Sequence, residues 1–499
     1  MNHLFDLICS RIADPAKLFI AADDGRRFTY ADLIALTGRM AGALRKLGVE
    51  PGDRVLVQAE KSPEVIFLYL ACLRAGAVFL PLNPAYTKAE AGHFIGDATP
   101  RLIICSPAKA ADLRALTQIH GGRVETLDER GGGSFMEAAR RASPAFANAP
   151  CGPDDLAAIL YTSGTTGRSK GAMMSHDNLA ANALTLCDLW RFSPSDTLIH
   201  ALPVFHTHGL FVASNVVLLS GASMLWQAKF DADAVLRALP HATALMGVPT
   251  FYTRLVGHAG LTRAATRDMR LFISGSAPLL EATHAAFQEK TGHAILERYG
   301  MTETNMITSN PYDGDRIAGT VGLPLPGVSL RIADPASGAV AAPGETGVIE
   351  ITGPNVFKGY WNNPEKTAAE FRPDGWFITG DLATLDARGY VRIVGRAKDL
   401  IISGGLNVYP KEIEAEIDAL PGVAESAVFG LPHPDFGEAV AAAIVGAGEA
   451  GAIHAALAQR LAKFKLPKSI YFVAELPRNS MGKVQKSVLR ETYRHAHGG

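Results

Sequence analysis

Along most of the chain, short unbroken apolar runs alternate with stretches whose apolar residues recur three and four positions apart. "FTYADLIALTGRMAGALRKLG" sets Leu33, Leu36, Met40, Leu44 and Leu47 on one helical face, with Thr29 as N-cap and Gly48 as its stop. "DRVLVQAE" follows as a strand. "SPEVIFLYLACLRAG" predicts a second helix, capped by Ser62, with Pro63 in its first turn and Gly76 beyond its end. "AVFLPL" is a buried strand, and the same rhythm returns at "GASMLW", "ATALMGV" and "DMRLFIS". Apolar strands separated by helices predict α/β layers with mainly parallel sheets.

The pattern changes after about Gly319. "TGVIEITG" and "GYVRIVG" are short strands between Pro/Gly turns, a smaller β piece attached to the main body. Beyond "GRAKDLIISGG", the helix "PKEIEAEIDAL" places Ile413, Ile417 and Leu420 on one face. "ESAVFGL", "AVAAAIV" and "SIYFVAEL" read as strands, and "IHAALAQRLAKF" as a helix. The expected fold class is therefore a multidomain α/β chain. An N-terminal domain spans 1–396, a junction 397–399, and a smaller α+β C-terminal domain of about a hundred residues spans 400–499.

Composition narrows the field. A chain of 499 residues exceeds one core, and a net charge of -1 argues against a nucleic-acid surface or an electrostatic membrane anchor. Cys9, Cys72, Cys105, Cys151 and Cys187 lie far apart with no CxxC pair, which fits a reducing compartment. The N-terminal stretch carries Asp6 and Asp14 and no sustained apolar segment, and no uncharged run is long enough for a bilayer. A cytoplasmic location is the expectation.

The densest chemistry sits in "LYTSGTTGRSKG", residues 160–171. It is not the nucleotide loop G-x-x-x-x-G-K-[ST], because Ser169 precedes Lys170 and Gly171 follows it. Yet Gly164, Gly167 and Gly171 let backbone N–H groups approach an anion. Thr162, Ser163, Thr165 and Thr166 add hydroxyls, and Lys170 adds a cation. Such a loop suits a polyphosphate that must be gripped and released. A plain Gly/Ser turn needs neither the hydroxyls nor the lysine.

"YTSGTTGRSKG" resembles the phosphate-loop signature of the adenylate-forming superfamily of acyl-CoA synthetases, nonribosomal adenylation domains and luciferases. "ERYGMTE", "GVIEITGPNVFKGYW", "GWFITGDLA", "GRAKDLIISGGLNVYPKEIE" and "LPRNSMGKVQK" match later motifs in the same order, so the resemblance covers essentially the whole chain. It implies a large N-terminal domain, a mobile C-terminal one and a two-step reaction. A carboxylate attacks ATP to give an acyl-adenylate and pyrophosphate, and a thiol then displaces AMP.

The resemblance also implies roles. Glu303 would hold Mg²⁺, a hard ion suited to oxygen. Thr302 would touch the α-phosphate, and Tyr299, Gly300 and Met301 would lie along the nucleotide. Ser276, Ala277 and Pro278 of "SGSAPL" would line the adenine pocket, Asp381 would accept the ribose hydroxyls, and Arg396 would reach ribose or phosphate. Lys483, chosen over Lys486 because it follows Gly482, would bridge carboxylate and α-phosphate during adenylation only. Lys398 matches the hinge position, and Ser403, Gly404 and Gly405 the CoA side. Acetylation of Lys483 by a protein acetyltransferase would remove the charge that step requires. A monomer or weak homodimer is expected.

The acid must be read from the pocket. "GVPTFYTRLV" puts Arg254 one turn into a helix opened by Pro249, and an arginine there suits a second carboxylate rather than an aliphatic tail. An Arg254 whose head simply reaches solvent is the alternative. His206, matching a position that moves as the carboxylate arrives, and small, polar Thr207 form another wall. Ser274 lies alongside, and Met306 closes the end. "GVPTFYTRL", "MRLFISGSAPLL" and "LPRNSMGKVQK" are similar to malonate–CoA ligases, so the expected substrates are malonate, ATP and CoA. Methylmalonate, propionate, acetate or an aryl acid are the rivals within this class. A luciferase-like oxygenase shares the fold. A catalytically dead nucleotide sensor could have lost Glu303 or Lys483, and both are present.

Overall fold

The computed structural model describes residues 1–162, 169–335, 337–403, 406–433, 436–479 and 482–494. The chain divides into two compact units: Met1–Ser329 with Thr352–Gly375, and Leu330–Ile351 with Trp376–Gly499. The four-stranded sheet thus groups with the C-terminal residues, and the junction at 397–399 falls inside the second unit.

In the first unit the expected helices form where their caps stand. Tyr30–Lys46 begins at a capping box in which Thr29 and Asp32 satisfy each other's backbone N–H groups. Leu33, Met40 and Leu44 are buried along its inner face, and Leu36 and Leu47 are half-buried. Pro63–Ala75 is buried along its whole length and ends at Gly76, whose φ of 72° closes the helix in the left-handed region. Ser62 holds the N-cap position without a side-chain capping bond.

Two sheets carry this unit. In the six-stranded one, Arg54–Gln58, Val78–Pro81, Leu102–Cys105, Arg123–Thr126 and Leu156–Thr162 run parallel, and Lys170–Ser175 closes an edge antiparallel. In the nine-stranded one, Leu18–Ala22, Ser223–Trp226, Thr197–His200, Ala244–Gly247, Leu271–Ser274 and Leu296–Met301 run parallel in that order. Leu245, Phe272, Tyr252 and Phe287 fill the core beneath. Lys61, just past the end of Arg54–Gln58, hydrogen-bonds the carbonyls of His200 and Gln227 at 2.8 and 2.6 Å and so ties the two sheets together at strand ends. Carboxyl ends of parallel strands are where open α/β sheets bind ligands.

In the second unit, Ser329–Ala333, Gly347–Thr352, Phe377–Leu385 and Val391–Arg396 form one sheet. The C-terminal residues form another, around the long hairpin Val423–His433 and Gly437–Gly446. Helix Pro410–Asp418 buries Ile413 and Ile417 against it. The helix expected at "IHAALAQRLAKF" starts earlier and is shorter, Ala450–Ala458. Lys463–Lys465 makes a separate tight turn instead, which lets Lys465 pair with Glu412 at 2.6 Å and Leu466 enter the core.

Candidate active site

The phosphate-loop motif connects antiparallel strands, with Thr162 opposite Lys170. Ser163, Gly164, Thr165, Thr166 and Gly167 lie outside the described residues. The chain therefore enters and leaves this loop as strands, unlike a P-loop, which leads into a helix N-terminus. The returning strand is braced on its other side: Trp361 N–H donates to Gly171 O at 2.7 Å, and Met173 N–H to Gly359 O at 3.0 Å.

That brace delivers Tyr360, which the sequence reading does not single out. Its hydroxyl lies 3.0 Å from Glu303 Oε1 and 2.6 Å from Glu370 Oε2. Lys170 Nζ stands 4.8 Å from the centre of the Tyr360 ring and 3.6 Å from Glu370 Oε1, which Lys366 also pairs at 2.7 Å. Burial and then the charge of Glu303 hold the phenol well above its ordinary pKa, so it stays protonated and donates. Glu303 is itself buried, and Phe357 N–H caps its carbonyl at 2.8 Å.

The residues expected on the acyl side lie near the ends of Leu271–Ser274 and Leu296–Met301. Ser274 is buried with its hydroxyl unpartnered among the described residues, and Thr207 likewise. Ser276 adopts a φ of 73°, and its Oγ lies 3.2 Å from His208 Nδ1. His208 opens a wide π-helical turn, His208–Ala213, a geometry frequent at functional sites. Met306 is buried with its tip over Gly300, where a Cβ would stand 1.9 Å from the Asn305 carbonyl. Tyr299, Met301, Thr302, Ala277 and His206 are half-buried, and Pro278 is exposed.

Arg254 departs from expectation. Helix Pro249–Val256 buries Pro249, Tyr252 and Leu255, which leaves Arg254 on its exposed face. The water-poor setting expected for Arg254 belongs instead to Arg298. Arg298 is 3 % exposed, and its Nε and Nη2 have no hydrogen-bond partner among the described residues. It lies against Gly275, where a Cβ would fall 2.5 Å from Arg298 Cζ and push the guanidinium aside. Burial pulls the guanidinium pKa down from its usual value. Burial, and then the Arg298 charge, push the His208 pKa well below the ordinary value, so that imidazole is neutral. The signal for Arg298 is in "ERYGMTE": a cation in the buried half of a strand needs an anion.

In the second unit Asp381 is buried, and Arg396, its cross-strand partner, reaches Oδ1 with Nε at 2.6 Å. Lys398 is exposed in the single turn Ala397–Asp399, whose Asp399 pairs with Arg490 at 2.9 Å. Ser403 ends a short strand and is buried; Gly404 and Gly405 lie outside the described residues. Lys483 is exposed on a turn in which Asn479 and Lys483 exchange hydrogen bonds, with Gly482 at a φ of 74°. Lys486 instead pairs with buried Glu414 at 2.5 Å.

Residues 12–361 match the model of the AMP-binding enzyme family, and residues 412–483 that of the AMP-binding enzyme C-terminal domain. A feruloyl-CoA synthase of Amycolatopsis is 37% identical, covering 94% of each chain. A malonate–CoA ligase of Arabidopsis thaliana is 32% identical, covering 97% of this chain and 86% of that one. Among solved structures, ATP-bound MatB of Rhodopseudomonas palustris superposes with a TM-score of 0.98 at 58% identity, over 99% of both chains.

Proposed function

This chain belongs to the AMP-binding enzyme family, and from that premise we propose that it joins malonate to coenzyme A through malonyl-adenylate, releasing pyrophosphate and then AMP. One observation carries the choice of acid: the buried guanidinium of Arg298, with two nitrogens unpaired among the described residues, beside neutral His208. A monocarboxylate would leave that cation buried and unmatched, whereas the distal carboxylate of malonate pairs with it bidentately. Ser274, Ser276 and Thr207 supply further polar contacts, and Met306 limits the depth.

In the first step a malonate oxygen attacks the α-phosphorus of ATP, and the bond to pyrophosphate breaks. The two reactants repel, so cations must neutralise them as charge moves to the leaving group. Lys170 and the hydroxyls around it grip the leaving phosphates, and Lys483 bridges carboxylate and α-phosphate. Among the described residues, no group of three or more His, Cys, Asp or Glu side chains is placed to hold a metal alone. The Glu303 carboxylate, beside Thr302, would hold a Mg²⁺ ion, which when bound would neutralise phosphate charge. In the second step the CoA thiol attacks the acyl carbon and AMP departs.

A pyrophosphate-release screen over mono- and dicarboxylic acids, with CoA present, tests the assignment. Malonate is expected to exceed acetate, propionate, butyrate and benzoate in kcat/KM by at least about tenfold, the worth of one charge-assisted pair. Aryl acids turning over best would overturn it.

Lys398 is proposed as the pivot on which residues 400–499 turn between the two steps. Lys398→Pro fixes φ there. Adenylation is expected to persist, with thioester formation slowed by roughly tenfold or more in single-turnover assays; normal CoA transfer would place the pivot elsewhere. Five free thiols support a reducing, cytoplasmic setting. No helix among the described residues is long and apolar enough to cross a membrane. Lys483, exposed on its turn, is offered as the acetylation target of a protein acetyltransferase. Acetylation would remove the charge that adenylation uses.

A further inference from the structure

We propose that Tyr360 is a positioning residue that couples the phosphate-loop cation Lys170 to the carboxylate of Glu303, with Glu370 as the second anchor of its hydroxyl. The inference rests on the reading of Glu303 as the metal ligand and adds Tyr360 and Glu370, to which no role had been assigned.

The geometry is specific. The tyrosine backbone bridges Ala172 on the returning strand of the phosphate-loop hairpin. Its ring lies under Lys170 Nζ, a cation–π contact on the face, while its hydroxyl reaches past to the two carboxylates. A phenol has one proton to donate. It can satisfy Glu303 or Glu370 at any moment, so the two acids compete for it. Glu370 has other partners, Lys170 and Lys366, and these cations offset its charge when the proton goes to Glu303. The arrangement therefore holds Glu303 in one orientation. It also keeps Lys170 near the phosphate loop without a strong direct pair, since 3.6 Å is long for a committed ion pair. When nucleotide phosphates enter, Lys170 can leave Glu370 for them. Lys366 remains on Glu370, so no bare carboxylate is stranded. Tyr360 further stacks edge-on with Phe357 at 4.9 Å, which fixes the ring.

A merely structural tyrosine would alter stability or loop packing, and so would weaken nucleotide binding equally with or without metal. A positioning tyrosine acts on the metal-dependent part. Tyr360→Phe keeps the ring, the cation–π face and the packing, and removes only the hydroxyl. ATP dissociation constants are to be measured by calorimetry in excess Mg²⁺ and in EDTA, together with the Mg²⁺ concentration giving half-maximal adenylation. In Tyr360→Phe the Mg·ATP dissociation constant and the half-maximal Mg²⁺ concentration are expected to rise about three- to tenfold. The EDTA value should stay within about twofold. Glu370→Gln, isosteric at a partly buried site, removes the competing carboxylate and leaves the phenol proton to Glu303, so it is expected to lower the same two quantities by up to about threefold, and it carries the test if the phenylalanine variant does not fold. Equal weakening with and without Mg²⁺, or no change in either variant, overturns the proposal. Glu303→Gln run alongside separates the layers. A Mg²⁺-specific loss in Glu303→Gln with none in Tyr360→Phe leaves the metal-ligand reading standing and removes this one. No Mg²⁺-specific loss in Glu303→Gln removes both.

Discussion

Replacing Lys483 by alanine is expected to slow malonyl-adenylate formation by about two to three orders of magnitude, while thioester formation from supplied malonyl-adenylate stays within about twofold. The asymmetry follows from where charge lies. In the first half-reaction two anions must meet, and charge moves onto the departing pyrophosphate. A lysine bridging both acts on the transition state more than on either reactant. In the second half-reaction the triphosphate is gone, and the thiol attacks an activated acyl carbon. The substitution should leave the fold intact, because the turn holding Lys483 is closed by backbone groups and the Asn479 side chain. Lys483→Gln, which imitates acetylation, should behave alike. Lys486→Ala is the contrasting control: it strands buried Glu414 without its partner, and its effect should be on stability. Pyrophosphate exchange and stopped-flow transfer from synthetic adenylate measure the two halves. Equal loss in both would remove the assignment of Lys483 to the first.

Much of this is legible without any coordinates. Thr29 with Asp32, or Pro63 followed by Gly76, are local signals: the physics of a cap lies within a few residues, and both helices form between them. Parallel strands are legible because a strand buried on both faces must be apolar throughout. What cannot be read is distal. Tyr360 meets Glu303 across 57 positions of sequence and Lys170 across far more, and nothing in "FKGYW" says which carboxylate its hydroxyl faces. The two arginines differ for the same reason. The family resemblance sets the start of the Pro249 helix beside the acyl pocket, but the Arg254 side chain takes the face away from Tyr252 and Leu255. Arg298 lies in a motif that draws the eye to its neighbours. Its guanidinium, from the middle of its strand, lies against Gly275 just past the end of the adjoining strand, which periodicity cannot reveal. The helix shortened to Ala450–Ala458 has a related cause: Lys465 and Leu466 have partners elsewhere that outweigh continued helical propensity.

Arg298→Met should move stability and activity in opposite directions, and that pairing is what identifies a functional charge. Methionine fills a similar volume without a charge to desolvate. With Nε and Nη2 unpartnered among the described residues, the guanidinium costs the folded protein its solvation, and removing it is expected to raise stability by about 1 kcal/mol or more. The pH dependence of that cost has a definite sign. Burial lowers the folded-state pKa of Arg298 below its unfolded value, so between the two the unfolded chain binds more protons. The destabilisation is then complete below the folded pKa and is relieved only as pH rises through it. At neutral pH the group is a cation, ready for an anion. Malonate gains most from it, because its distal carboxylate must otherwise sit buried and unpaired, at about 3–5 kcal/mol. The kcat/KM for malonate should fall by roughly two to three orders of magnitude. Butyrate carries no distal charge and should hold its rate or improve. ATP affinity should not move, since Arg298 is assigned to the acyl side. Arg254→Ala is the internal comparison: an exposed arginine should change the malonate-to-butyrate ratio by less than about threefold. Should Arg254→Ala collapse that ratio while Arg298→Met preserves it, the distal carboxylate is held at the exposed helix face, and the buried guanidinium is a structural charge.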